Sequence, residues 1–165
     1  MDHFARPAEE LAVAARERRL HRDFMGYTPR PAPHLLAFGM SGIGDVAGRF
    51  VQNVPRTGAY QRVLDEGDLP VERGHRLTDD DHRRRRAILN LMCNLELPYD
   101  LVPPPGEESS ERLQPLVEDG LISAKPDRYE VTPIGRYFLR NIAMALDAYL
   151  PEQQPGSRPV FSRTV

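Results

Sequence analysis

Hydrophobic positions along the chain fall into short, separated groups, and their period changes from group to group. After Thr78, residues Ile88, Leu91, Met92 and Leu95 recur at i, i+3, i+4 and i+7, which puts four side chains on one helical face. Thr78 is the expected N-cap of that helix, and Asp79, Asp80 and Asp81 suit its positive end. Cys93, beside the stripe, reads as a small buried hydrophobe. Ala8 to about His21 predicts an earlier helix with Pro7 in its first turn, and its thin stripe of Leu11, Ala14, Ala15 and Leu20 implies half exposure. Thr57 to about Glu66 predicts a short helix closed by Gly67, and Leu69 to Leu77 a connector or short strand.

The second half is more compact in its signals. Arg112 to Asp119 predicts a helix using Leu113, Leu116 and Val117, with Pro115 near its first turn and Gly120 as its cap. Leu121–Ser123 and Tyr129–Val131 alternate as two strands around Lys125, Pro126 and Asp127. Thr132 and Pro133 then open a last helix whose stripe is Ile134, Phe138, Ile142, Ala145 and Leu146, ended by Pro151. Helix, hairpin and helix in this order give a winged-helix-like unit over 110–150. Phe24 to Thr28 and the prolines after it predict an extended loop, and Pro98 to Ser110 a linker.

One stretch departs from these patterns. Leu35 to Phe38 is an apolar run fit for a buried strand, and glycines follow at 39, 42, 44 and 48. Without a Cβ, such a loop can press its backbone against a flat ligand, and Ile43 could support a nucleoside face. The spacing is not the dinucleotide fingerprint, and Ser41 is not a nucleophile elbow because position 43 is isoleucine. On the residues alone a glycine-rich surface turn is the leading reading of the stretch. Asp2 and His3 are weaker site candidates, since neighbours in a strand point to opposite faces.

Composition narrows the classes. The 165 residues are 28% charged and 40% hydrophobic with a net charge of −2 and one cysteine, so no internal disulfide and no cysteine-rich metal site can form from this chain alone. No apolar run approaches the roughly 20 residues of a membrane span, and no signal-peptide pattern is present, so a cytoplasmic location without a membrane partner is expected. Arg83 to Arg86 suggests nucleic acid, but four consecutive helical residues cannot share one face, and the aspartates before them favour ion pairing. Glu107, Glu108, Glu111, Glu118 and Asp119 around the 112–119 helix would repel phosphates, so DNA binding by the winged unit is disfavoured.

Several segments together resemble one family. They are M-D-H-F-A-R-P at the start, H-R-D-F-M-G-Y-T at 21–28, G-M-S-G-I-G-D at 39–45, Gln52-Asn53, Met92-Cys93-Asn94, D-G-L-I at 119–122, V-T-P-I-G-R at 131–136 and R-N-I-A-M at 140–144. The family is the oxygen-independent coproporphyrinogen III oxidases of haem biosynthesis, and the match runs over nearly the whole chain. It is poorest between Pro98 and Glu111.

The resemblance implies a radical S-adenosylmethionine enzyme. Its 4Fe–4S cluster cleaves S-adenosylmethionine, and two propionates of coproporphyrinogen III become vinyl groups. It further implies that Ile43 contacts S-adenosylmethionine, flanked by Ser41 and Gly42. The implied fold is α+β and mostly helical. Residues 1–66 would be the last strands and helices of a partial TIM-type barrel, including the glycine-rich loop 38–53, and 67–165 a helical C-terminal domain. The family's three-cysteine cluster motif is absent here, and Met1 aligns with an internal methionine, so a C-terminal portion is expected, inactive without the cluster-binding barrel. A standalone porphyrin- or partner-binding protein is the alternative. An exposed sheet edge in such a portion predicts self-association.

Overall fold

A computed structural model describes residues 4–103 and 108–150 of the chain. Asp2, His3, the middle of the proline-rich 98–110 stretch and the tail after residue 150 lie outside the described residues.

Six helices and eight strands are found among the described residues. They are α1 Glu10–Arg16, β1 His21–Arg22, β2 Tyr27–Thr28, β3 Ile43–Val46, β4 Arg49–Asn53, α2 Thr57–Asp65 and β5 Val71–Arg76. There follow α3 Asp79–Asn94, β6 Glu96–Pro98, α4 Glu108–Glu111, α5 Leu113–Glu118, β7 Ile122–Ala124, β8 Arg128–Val131 and α6 Leu139–Met144. The strands make a small ribbon, β1-β2, and two three-stranded sheets ordered β3-β4-β5 and β6-β8-β7.

α3 is the axis of the fold. Thr78 and Asp81 form a reciprocal capping box, the Thr78 side chain accepting from the Asp81 amide and Asp81 from the Thr78 amide. Below it, Ala87 and Leu91 pack with Leu97, Leu113, Ile122, Ile142 and Leu146 into the main core. Leu95, expected on the stripe, instead ends the helix in the left-handed region at φ 62°. Cys93 faces the other way and joins Ala14 and Leu20 in a second cluster. Burial pushes its thiol up to about 11. It should therefore resist iodoacetamide in the native chain at neutral pH and react only on unfolding, which mass spectrometry of labelled protein would check.

β6 is an unanticipated third strand. It pairs with β8 through Leu97 and Tyr129, and Pro98 is tolerated because the strand lies at the sheet edge. The linker expected from Pro98 therefore starts as ordered structure, continuing into a 3-10 turn at Tyr99–Leu101 and, after the undescribed 104–107, into α4. The last helix is also shorter than its pattern implied. A 3-10 turn at Gly135–Phe138 precedes α6, which leaves Ile134 57% and Phe138 39% exposed, while Ile142, Ala145 and Leu146 are buried as expected. Thr132 stands two residues before the N-cap position Ile134, its hydroxyl accepting from the Gly135 amide at 3.1 Å.

Two expectations in the first half fail for identifiable reasons. The 8–21 helix stops at Arg16 because Arg18 takes φ 54°, which lets Leu20 into the second core and starts β1. The supposed loop at 24–28 is closed by β2 pairing back on β1. The apolar run 35–38 is not a buried strand, for Leu36 is 68% and Phe38 88% exposed. Only Leu35 bonds across, exchanging both backbone hydrogen bonds with Asp45 at 2.8 Å. Strand structure goes instead to β3 and β4, joined by Ala47 and Gly48 at φ 49° and 69°, the paired positive angles of a tight hairpin turn. β5 completes this sheet beside β4. All strand pairings among the described residues are antiparallel, so the parallel strands of a barrel are not seen there.

Candidate functional site

The glycine stretch divides into a turn, 39–42, and the strand β3. Gly39 has φ 92° and Ser41 φ 60°, so the chain doubles back on itself here. A Cβ on Gly42 would lie 3.1 Å from the Ala37 methyl and 3.2 Å from the Gly39 carbonyl oxygen, which makes glycine the residue that fits. Asn53, buried on β4, holds the turn from beneath, its Nδ2 donating to the carbonyls of Ala37 at 3.1 Å and Gly39 at 2.9 Å. The Tyr60 hydroxyl accepts from the Gly39 amide at 3.0 Å, and the Ser41 amide donates to Val54. Ile43 is half-buried at the start of β3, opposite Gln52. Asn53→Ala should cost about 1–3 kcal/mol by removing the donor to both carbonyls, the Gly39 oxygen keeping only its 3.3 Å bond from the Gly42 amide. Urea unfolding would measure it.

Ile43, Asp45, Phe50, Gln52, Arg73 and His75 share one face of the β3-β4-β5 sheet, by alternation and register. At the Asp45 end that face borders a cavity of about 770 Å³. Ser41, Gly42 and Ile43 do not line it; the lining begins at Asp45, two residues further along β3. β1 and its turn supply His21, Arg22 and Phe24, α3 supplies Asp81, Arg84 and Arg85, and the segment after α6 supplies Leu146 to Tyr149.

Each acidic group of the cavity is engaged. Asp81 accepts from the Thr78 amide and hydroxyl, each at 2.8 Å, from the Tyr149 hydroxyl at 2.8 Å, and stands 3.4 Å from His75 Nε2. These bonds, led by the Thr78 amide, hold its carboxyl well below the usual carboxylate range against the opposing effect of burial. The same contact pushes the Tyr149 phenol up. Asp23 accepts from the amides of Met25 and Gly26, and Asp147 from that of Tyr149. Asp45 pairs with Arg85, whose guanidinium carbon lies 5.1 Å from the centre of the Phe50 ring. Phe24 meets Phe50 edge-on at 5.2 Å.

Because folding depresses the Asp81 pKa, its contribution to stability is fully present above the unfolded value of roughly 3.9 and is lost as pH falls below it. Asp81→Asn should thus lower the unfolding free energy by about 1 kcal/mol at neutral pH, with the gap to wild type narrowing below about pH 4. Urea midpoints across pH would show this.

The four-arginine run separates by direction. Arg83 and Arg84 pair with Asp80 and reach the carbonyls of Val102 and Leu146, whereas Arg86 is exposed. The expected ion pairing is present, and Arg85 points to the cavity instead. Sequence reasoning missed the cavity residues, for Asp81 showed only as a helix start and Asp45 only as the end of a glycine stretch. Among the described residues no three His, Cys, Asp or Glu side chains converge as a metal-ligand set, and no helix is long and apolar enough to cross a membrane.

No family model matches the chain. Curated relatives do. Over its whole length the chain is 39% identical to the oxygen-independent coproporphyrinogen III oxidases of Synechocystis and Escherichia coli K12, covering 38% and 37% of those proteins. The Helicobacter pylori protein of the same name is 35% identical. A solved structure of coproporphyrinogen III oxidase (HemN) from Escherichia coli, described as a radical SAM enzyme, superposes with a TM-score of 0.81 at 40% identity, covering 91% of this chain and 36% of that one. The chain thus spans less than two fifths of the length of the relatives it matches.

Proposed function

The chain is homologous over its whole length to oxygen-independent coproporphyrinogen III oxidases, and from this we propose that it supplies the C-terminal part of such an enzyme. The observation that carries the reading is the match to the Escherichia coli structure, at 40% identity and a TM-score of 0.81. The activity would be the oxidative decarboxylation of coproporphyrinogen III to protoporphyrinogen IX, performed with the remaining part of the enzyme. On this reading residues 1–66 form the barrel's edge, and 67–165 the C-terminal domain with the winged-helix-like unit.

The 4Fe–4S cluster of a radical S-adenosylmethionine enzyme does not fit the residues present. Cys93 is the one cysteine, and it is buried with its thiol pushed up to about 11. A thiol so held is a poor source of the thiolate a cluster needs. The cluster would therefore come with the other part. For S-adenosylmethionine this chain would contribute the turn Ser41-Gly42 and Ile43. Support comes from the close fit at Gly42 and from Asn53, which together keep Ile43 at a fixed position on the sheet face. The substrate, coproporphyrinogen III, would lie nearby.

Exposed apolar residues around the same turn support a covered surface. Phe38, Met40 and Leu69 are all solvent-exposed. Backbone bonds link the segments that carry Met40 and Leu69, the Ser41 amide donating to Val54 and the Val54 amide to Pro70.

Complementation tests the reading. The chain mixed with the cysteine-bearing N-terminal part of the Escherichia coli relative is expected to convert coproporphyrinogen III under anaerobic, reducing conditions with S-adenosylmethionine, and neither part alone to do so. No turnover in the mixture would remove the proposal. The alternative, a standalone porphyrin- or partner-binding protein, is not favoured by the whole-length likeness to the enzymes.

A further inference from the structure

We infer that Arg85 is a carboxylate anchor in the 770 Å³ cavity for an aromatic or macrocyclic acid, and that Asp45 and Phe50 position it. The inference rests on the proposed function only for the choice of probe.

The aspartates of the cavity already accept from amides, hydroxyls or Arg85 itself. Arg84 is turned to Asp80 and the Leu146 carbonyl. Arg85 donates to Asp45 through Nη2, and its Nε and Nη1 have no hydrogen-bond partner among the described residues. Nε–H and Nη1–H lie on different sides of the guanidinium, and each can give a carboxylate one charge-assisted hydrogen bond. The Asp45 bond and the Phe50 ring fix the plane of the guanidinium and remove much of the side-chain freedom that binding would otherwise cost.

The walls select the rest of the ligand. Phe24, Phe50, Leu35, Leu77 and Leu89 give an apolar lining, which a small inorganic anion would not fill. A flat hydrophobic body with a peripheral carboxylate satisfies both features. A tetrapyrrole carrying propionates is of this class.

Coproporphyrin III, the fluorescent oxidised relative of the substrate named above, is the probe. Titrated into the full chain, it is expected to quench saturably. Arg85→Gln should weaken that binding by about tenfold or more, and Arg85→Lys by less, since it keeps the charge and loses the planar set of donors. Arg49→Gln, on the opposite sheet face, should leave it unchanged. Inorganic phosphate should not displace the probe. If Arg85→Gln fails to fold, wild-type binding that weakens between about 0.1 M and 1 M salt supports the anchor, and salt-independent binding overturns it. Absence of saturable quenching, or an Arg85→Gln affinity equal to wild type, also overturns it. The two ideas fail separately: loss of complementation leaves Arg85-dependent binding intact, and Arg85-independent binding leaves complementation intact.

Discussion

Gly135→Ala is expected to destabilise the chain by about 3 kcal/mol or more, at or beyond the upper end of ordinary overpacking. An alanine Cβ there would sit 1.9 Å from the Leu121 carbonyl oxygen and 2.9 Å from its carbon. Neither atom can retreat freely. The Leu121 amide is bonded to Leu116 at 2.9 Å, and its carbonyl accepts from the Thr132 amide at 3.0 Å and the Thr132 hydroxyl at 3.2 Å. Moving Leu121 would break the joint between α5, the β7-β8 hairpin and the turn into α6. Gly58→Ala makes the matching control, because nothing lies within 4 Å of its missing Cβ and it sits inside α2. That change should be neutral or stabilising by about 0.5–1 kcal/mol. Urea midpoints for the two variants should move in opposite directions; a Gly135→Ala protein as stable as wild type would mean that the Leu121 carbonyl is not where the fold places it.

Leu91→Ala should cost about 2–5 kcal/mol, the range for emptying a buried leucine site. Leu91 is fully buried, between α3's neighbours Leu97, Leu113, Ile122, Ile142 and Leu146. These residues come from two strands, two helices and the chain after α6, so collapse around the cavity is limited. The comparison is Leu64→Ala on α2, where the side chain is exposed and the change should stay within about 0.5 kcal/mol. Equal losses at the two leucines would contradict the position of the core.

Much of the C-terminal half is legible because its signals are local. Thr78 and Asp81 stand three residues apart in sequence and meet in a capping box, and Ile88, Leu91 and Met92 keep the helical period. The hairpin around Lys125–Asp127 follows from alternation on each side. What could not be read depends on partners far away in sequence. β6 forms because β8 offers an edge, with Leu97 facing Tyr129, and nothing in Glu96–Pro98 itself announces a strand. Leu36 and Phe38 look like core by composition and are exposed, since the sheet is built by the more polar hairpin that follows.

The candidate site shows the same division. The glycine stretch stood out in the sequence, but Gly44 proved to be a strand residue, where a Cβ would lie 3.0 Å from the Leu35 carbonyl oxygen and 3.1 Å from a Val51 methyl. Ser41 lies in the turn and Ile43 opens β3, whereas the cavity that begins at Asp45 was not foreseen. It needs Asp45 to meet Arg85 across 40 positions, and hydrophobic period carries no record of such a meeting.

Tyr149 donates to Asp81 from 68 positions further along, and His75 touches the same carboxylate. One side chain thus fastens the sheet, the head of the long helix and the end of the described chain. On a ribosome that knot cannot be tied until Tyr149 has been made and has cleared the exit tunnel, well after the hairpin sheet has emerged. Slow, late closure of this kind follows from high sequence separation.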